Sequence, residues 1–116
     1  MNRDVPLRTM LMSADIKTEG TGFHRLVFKV ERGRGSICQV TVLISQDAHR
    51  KLASQLARVR MLPGDTLMLL KTWARWELEH RVRELGVVPS SLTVTASDLD
   101  DLGAYAQDLG RLLRAG

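Results

Sequence analysis

Lys71-Thr72-Trp73-Ala74-Arg75-Trp76 is the segment of this 116-residue chain whose residue types and spacing offer the most chemistry. Two indoles three residues apart fall on adjoining ridges of a helix, with Lys71 and Arg75 beside them and Arg81 and Arg83 further along. Trp and Arg are favoured as anchors of protein interfaces. Rings interleaved with cations also form a stacking and charge platform for single-stranded nucleic acid. A third use competes with both: aromatics make up only 4% of the chain, so the core needs its large rings, and both indoles would then cover a sheet. Trp73, Trp76, Arg75 and Arg83 are the interface candidates on this reading.

A second basic feature is Arg32-Gly33-Arg34-Gly35. It is too short for a dinucleotide or Walker-type loop, and it joins two strand-like runs instead of leading into a helix. As a basic hairpin tip it could touch nucleic-acid phosphates, and as a solvated turn it needs no ligand. Arg32, Arg34, Lys29 and Lys71 are the nucleic-acid candidates.

The residues that would carry catalysis are not arranged for it. No Ser lies in a Gly-x-Ser-x-Gly frame. Glu77 and Glu79, two apart on a helix, point in different directions and cannot share a proton. Asp98, Asp100 and Asp101 cluster where a helix begins, and the helix dipole favours negative charge there. His24, His49 and His80 form no helical ligand pair, so a metal would need a set assembled in space, such as His49, His80 and Glu77. Cys38 is the single cysteine, which excludes an internal disulfide, and its alternation with Val40 and Val42 places it on the buried row. The sequence therefore names no catalytic residue, no metal ligand and no cofactor.

Three runs of period-two alternation come first. Met10, Met12, Ala14 and Ile16 alternate with Leu11, Ser13, Asp15 and Lys17. Leu26, Phe28 and Val30 follow a glycine turn at 18–22, and Cys38, Val40, Val42 and Ile44 follow the tip at 32–35. Short loops join only antiparallel neighbours, so these three make a meander. Ser45 then caps a helix bearing Ala48, Leu52, Leu56 and Val59, which Met61-Leu62-Pro63-Gly64 ends. Asp65 caps a longer helix to Leu85, with Leu67, Leu70, Ala74, Leu78, Val82 and Leu85 on one face and Gly86 as its stop. The apolar start of that helix also reads as a short strand. Leu92, Val94 and Ala96 make a fourth strand. Ser97-Asp98-Leu99-Asp100 opens a last helix carrying Leu99, Leu102, Ala106, Leu109 and Leu113, weakened by Gly103 and Gly110 and in need of docking. The predicted fold is α+β in the order β-β-β-α-α-β-α, with helices packed on one face of the sheet.

Length and composition fit one domain spanning 1–116, with 1–6 and 115–116 as disordered ends. The net charge is +4 and uneven, since residues 1–96 hold 15 Lys and Arg against 9 Asp and Glu, and residues 97–116 hold 2 against 4. A basic body attracts phosphates or an acidic partner, and also simply keeps a protein in solution. The unpaired cysteine, the absence of a secretory start and the shortness of every apolar run predict a cytoplasmic protein without a membrane span.

In order, the strand ending Ser36-Ile37-Cys38-Gln39-Val40-Thr41-Val42, the helix Trp73-Ala74-Arg75-Trp76-Glu77-Leu78-Glu79 and Leu92-Thr93-Val94-Thr95-Ala96-Ser97-Asp98-Leu99 resemble a small bacterial family classed only as a domain of unknown function. The resemblance spans about residues 23–99. It implies a stand-alone α+β fold and carries over no functional residue. The expected role is a non-enzymatic binding or regulatory module that contacts a protein partner or a second copy of itself as a homodimer. The alternative is a nucleic-acid-binding protein using the basic tip and the Trp/Arg helix.

Overall fold

Alternating apolar residues need a cover, and in this protein the helices supply it on one side only. The structure, a computed structural model, describes residues 7–17, 20, 22–33 and 35–115. The elements are β1 (Leu7–Asp15), β2 (Phe23–Arg32), β3 (Ile37–Ser45), α1 (Gln46–Arg58), α2 (Thr66–Leu85), β4 (Ser91–Val94), a one-turn 3-10 helix (Ala96–Asp98) and α3 (Leu102–Ala115). The sheet order is β1-β2-β3-β4. β1, β2 and β3 form the antiparallel meander, and β4 runs parallel to β3. Two helices lie between β3 and β4, and such a crossover is what returns a chain in the same direction. The α+β class and the element order are those the sequence predicts.

Leu26, Phe28 and Val30 of β2, Val40, Val42 and Ile44 of β3, and Leu92 and Val94 of β4 are buried against the helices. The helices contribute Ala48, Leu52 and Leu56, then Leu69, Leu70, Trp73, Ala74, Leu78 and Val82, then Ala106, Leu109 and Leu113. Val59, Leu67 and Leu85, expected on the buried faces, are exposed, because each stands in the first or last turn of its helix or just beyond it. Cys38 is also exposed, against expectation. It pairs with buried Val30, so its row is the expected one, but the first three residues of β3 are exposed whichever way they point.

β1 departs most from the reading. Residues directly opposite in an antiparallel pair share a face. Thr9 and Leu11 lie opposite Val30 and Phe28 on the helix side, while Met10 lies opposite Lys29 on the other. Met10, on that outer row, is 59% exposed, and Met12, the extra residue at the bulge with no β2 partner, is 55% exposed, so neither methionine is core. Both rows of β1 are partly apolar, and alternation cannot say which meets the helices. A register shift between Leu11 and Ser13 then returns Ala14 to the helix-side row, opposite Leu26.

Helix ends follow local chemistry. Ala48 N–H donates to Ser45 Oγ (3.0 Å), and Leu67 N–H donates to Asp65 Oδ1 (3.0 Å). The second cap resolves the strand-or-helix alternative at 66–70 in favour of helix. Gly86 closes α2 in the left-handed region (φ 77°), where its N–H reaches Val82 O at 2.8 Å. The predicted Ser97 start is corrected. Thr95 N–H donates to Asp98 Oδ2 (2.7 Å) around the 3-10 turn, and Ala104 N–H donates to Asp101 Oδ1 (3.3 Å) at the start of α3. Leu99 plugs the core between these caps and divides what reads as one helix start. α3 packs on α1 and α2 and runs through Ala115, while residues 1–6 and Gly116 lie outside the described residues. Gly110 is buried where a Cβ would meet the Met61 side chain, so α3 gains from its absence a close approach that offsets its weak propensity.

Candidate functional site

Trp73 does not stand at a surface. It is fully buried beneath α3, and its indole N–H donates to Tyr105 Oη. Its place as an interface candidate is therefore corrected. The buried stripe of α2 is wide enough to take in Leu69, Leu70, Trp73, Ala74, Glu77 and Leu78, and the largest ring fills its middle. Tyr105 Oη donates in turn to the carboxylate of Glu77, which is 5% exposed and has Arg81 Nε at 3.5 Å from Oε1. Burial, followed by the Glu77 charge and hydrogen bond, raises the Tyr105 pKa, so the phenol stays a proton donor. Trp76 is half-buried, edge-on to Tyr105 with ring centroids 4.9 Å apart, and stacked on His80 at 5.3 Å. The network joins α2 to α3 and is satisfied internally. Tyr105, its hub, escapes a sequence reading because the bond partners lie 28 and 32 positions away.

A second polar cluster joins His24 and His49, which the sequence reading keeps apart. Lys17 N–H donates to His24 Nδ1 (3.1 Å), and His24 Nε2 lies 3.1 Å from His49 Nδ1. A backbone N–H can only donate, so neutral His24 carries its proton on Nε2 and gives it to His49 Nδ1. Gln46 Nε2 ties the same corner to Lys17 O (3.1 Å). Burial first, then the neighbouring His49, lowers the His24 pKa; burial first, then Arg50, lowers that of His49. His80 pairs instead with Glu84 (3.6 Å), so His49, His80 and Glu77 do not form a set. Among the described residues no group of three or more His, Cys, Asp and Glu is placed to hold a metal ion.

The predicted basic residues do not converge. Lys29 points to the open face of the sheet, whereas Arg32 is engaged structurally, its Nη1 donating to Gly86 O (2.8 Å) across the end of α2. That bond corrects its reading as a free tip. Arg34 lies outside the described residues. Lys71 is half-buried on α2 and Arg83 is exposed near its end.

Arg75 does take part in a surface feature. With Glu79, one turn on, it lines a groove of about 540 Å³ whose other walls are Leu7, Arg8, Thr9, Met10, Lys29 and Glu31. The groove runs along the outer edge of β1, which no other strand covers among the described residues. Arg75 Nε is buried there without a hydrogen-bond partner among the described residues. An unpaired strand edge presents backbone donors and acceptors to a further strand, and its alternate side chains supply selectivity. This edge, with the α2 residues beside it, is the candidate functional site. No helix among the described residues is long and apolar enough to cross a membrane. No protein-family model, curated protein or solved structure matches the chain.

Proposed function

We propose that this chain is a small binding module that acts through protein–protein contact, associates with itself and has no catalytic step of its own. The observation that carries this reading is the nine-residue edge of β1, unpaired among the described residues and flanked by a groove and by exposed methionines. The helices cover one face of the sheet, no described strand pairs with this edge, and a long apolar edge is a template for association. Light scattering on a size-exclusion column, run through a dilution series at low and high salt, tests it. The expected result is a dimer that dissociates on dilution and changes little with salt.

The nucleic-acid reading keeps one observation in its favour. Arg50, Lys51 and Arg58 of α1 line a depression with Ser54, Gln55 and Leu102. Phosphate-driven binding falls with salt at a log–log slope near −0.9 for each phosphate neutralised on duplex DNA. A strictly monomeric protein that binds a mixed oligonucleotide at low salt alone would replace the first reading with this one.

A further inference from the structure

We infer that two copies of this chain join edge to edge through β1, antiparallel about a two-fold axis between Leu11 and Met12, so that residues whose numbers sum to 23 face one another. The inference rests on the self-association proposed above and names its surface and register.

β1 offers nine residues of edge, whereas the opposite edge of the sheet, β4, offers four. The register follows from the bulge. Arg8, Met10, Ser13 and Asp15 lie opposite Glu31, Lys29, Val27 and Arg25 and form the outer row. Thr9, Leu11 and Ala14 lie opposite Val30, Phe28 and Leu26 and form the helix-side row. A strand that pairs with its own copy must match outer residues with outer residues and inner with inner. An unbroken strand achieves this only when paired numbers add to an even sum. The shift between Leu11 and Ser13 exchanges the rows, so pairs that span it need an odd sum.

A sum of 23 centres the bulge on the axis and pairs residues 8–15, with Leu11 meeting Met12, the extra residue that has no partner on β2 and so belongs to neither row. Arg8 then meets Asp15, Thr9 meets Ala14 and Met10 meets Ser13, each twice in the dimer. A sum of 25 would set Arg8 against Lys17 and Asp15 against Met10, and a sum of 21 would carry Asp15 past the end of the strand. Only the central register places a cation opposite a carboxylate at both ends, and opposite charges directly across a ladder attract. An edge bulge ordinarily twists an edge away from pairing, but on the axis it meets its own copy and both strands twist alike. The arrangement makes a continuous eight-stranded sheet with the helices of both copies on one side.

Charge reversal tests the register. Arg8→Asp sets carboxylate against carboxylate twice per dimer and Asp15→Arg sets cation against cation, so each alone should weaken dimerisation about tenfold or more. The double variant R8D/D15R restores both pairs and should return to within about threefold of the starting protein. Both positions are exposed, but within one chain Arg8 lies opposite Glu31 and Asp15 lies opposite Arg25 and beside Lys17, so each reversal also costs the folded monomer a little. Circular dichroism melts of the three variants measure that cost, and dimerisation is compared where all of them are folded. A cross-link provides an independent arm. In a Cys38→Ser background, M10C/S13C should form a covalent dimer on mild oxidation, while M10C alone should not. Within one chain the two thiols stand about 10 Å apart along the strand, too far to bridge. Absence of any dimer at high concentration overturns this inference and the proposed function together. A dimer that ignores both reversals, or that R8D/D15R fails to restore, or that does not cross-link, keeps self-association and overturns the register.

Discussion

On the helix side of the sheet Trp73 is wholly enclosed and its one polar atom meets Tyr105, whereas along β1 Met10 and Met12 stand more than half exposed. Both regions hold apolar side chains beside charged ones. The α2–α3 side joins its charges into a closed chain, Trp73 to Tyr105 to Glu77 to Arg81, and so buries the apolar parts without leaving a donor or acceptor adrift. On the β1 side, among the described residues, Arg75 Nε has no partner and the strand edge is unpaired. Incomplete pairing is not confined to that side, since Gln46 Oε1 is also buried without a partner among the described residues, but at β1 it coincides with a strand edge that no described strand covers.

Substitutions should separate the two regions. The largest effect belongs to Trp73→Ala, which empties the centre of the α2 stripe and should cost about 3–5 kcal/mol in chemical denaturation. Trp76→Ala, at a half-buried ring on the same helix, should cost clearly less. Equal losses would break the assignment of Trp73 to the core. Next comes Tyr105→Phe, which keeps the ring but strands the indole N–H and removes a donor from Glu77. A loss of about 1–3 kcal/mol is expected, and no measurable loss would show that the network is not what holds α3.

The His24–His49 corner responds to pH. Both pKa values are lowered by folding, so as pH falls through about 6.5 the unfolded chain takes up protons that the folded chain refuses. Stability should therefore be fully present above that pH and decline below it, by at most about 1.4 kcal/mol per pH unit for each proton withheld, until the folded pKa is reached. Protonation also places a hydrogen on His24 Nδ1, against the Lys17 N–H that donates to it. Melting temperatures between pH 7.5 and 5 would show the decline, and His49→Gln should flatten it. An identical slope in that variant would assign the decline elsewhere. The smallest effect is expected at the free edge: Met10→Lys should change stability by less than about 0.5 kcal/mol while weakening self-association on the same column. A large loss of stability there would mean that β1 is core after all.

Much of the fold is legible because local physics decides it. Ser45 and Asp65 cap their helices through bonds to residues two or three positions on, and Gly86 ends α2 because it alone enters the left-handed region freely. The face carrying Leu26, Phe28 and Val30 is equally plain, since its alternate row carries Arg25, Lys29 and Glu31. β1 is harder to read: Leu7 and Leu11 compete with Met10 and Met12, and a single-residue bulge reverses the rows midway. Trp73 and Trp76 share one motif and one spacing, but a helix period gives direction only relative to the helix axis, and what lies in that direction depends on α3.

Local pattern thus sets the main elements, their order and the ends marked by Ser45, Asp65 and Gly86, though not the start of α3, because those rest on contacts within a few residues along the chain. The meeting of distant segments decides that Trp73 is core, that His24 meets His49, that Tyr105 closes the α2–α3 junction and that no described strand pairs with the β1 edge. Each of those outcomes depends on which surfaces meet after residues far apart in the chain are brought together, and spacing along the chain holds no record of that meeting.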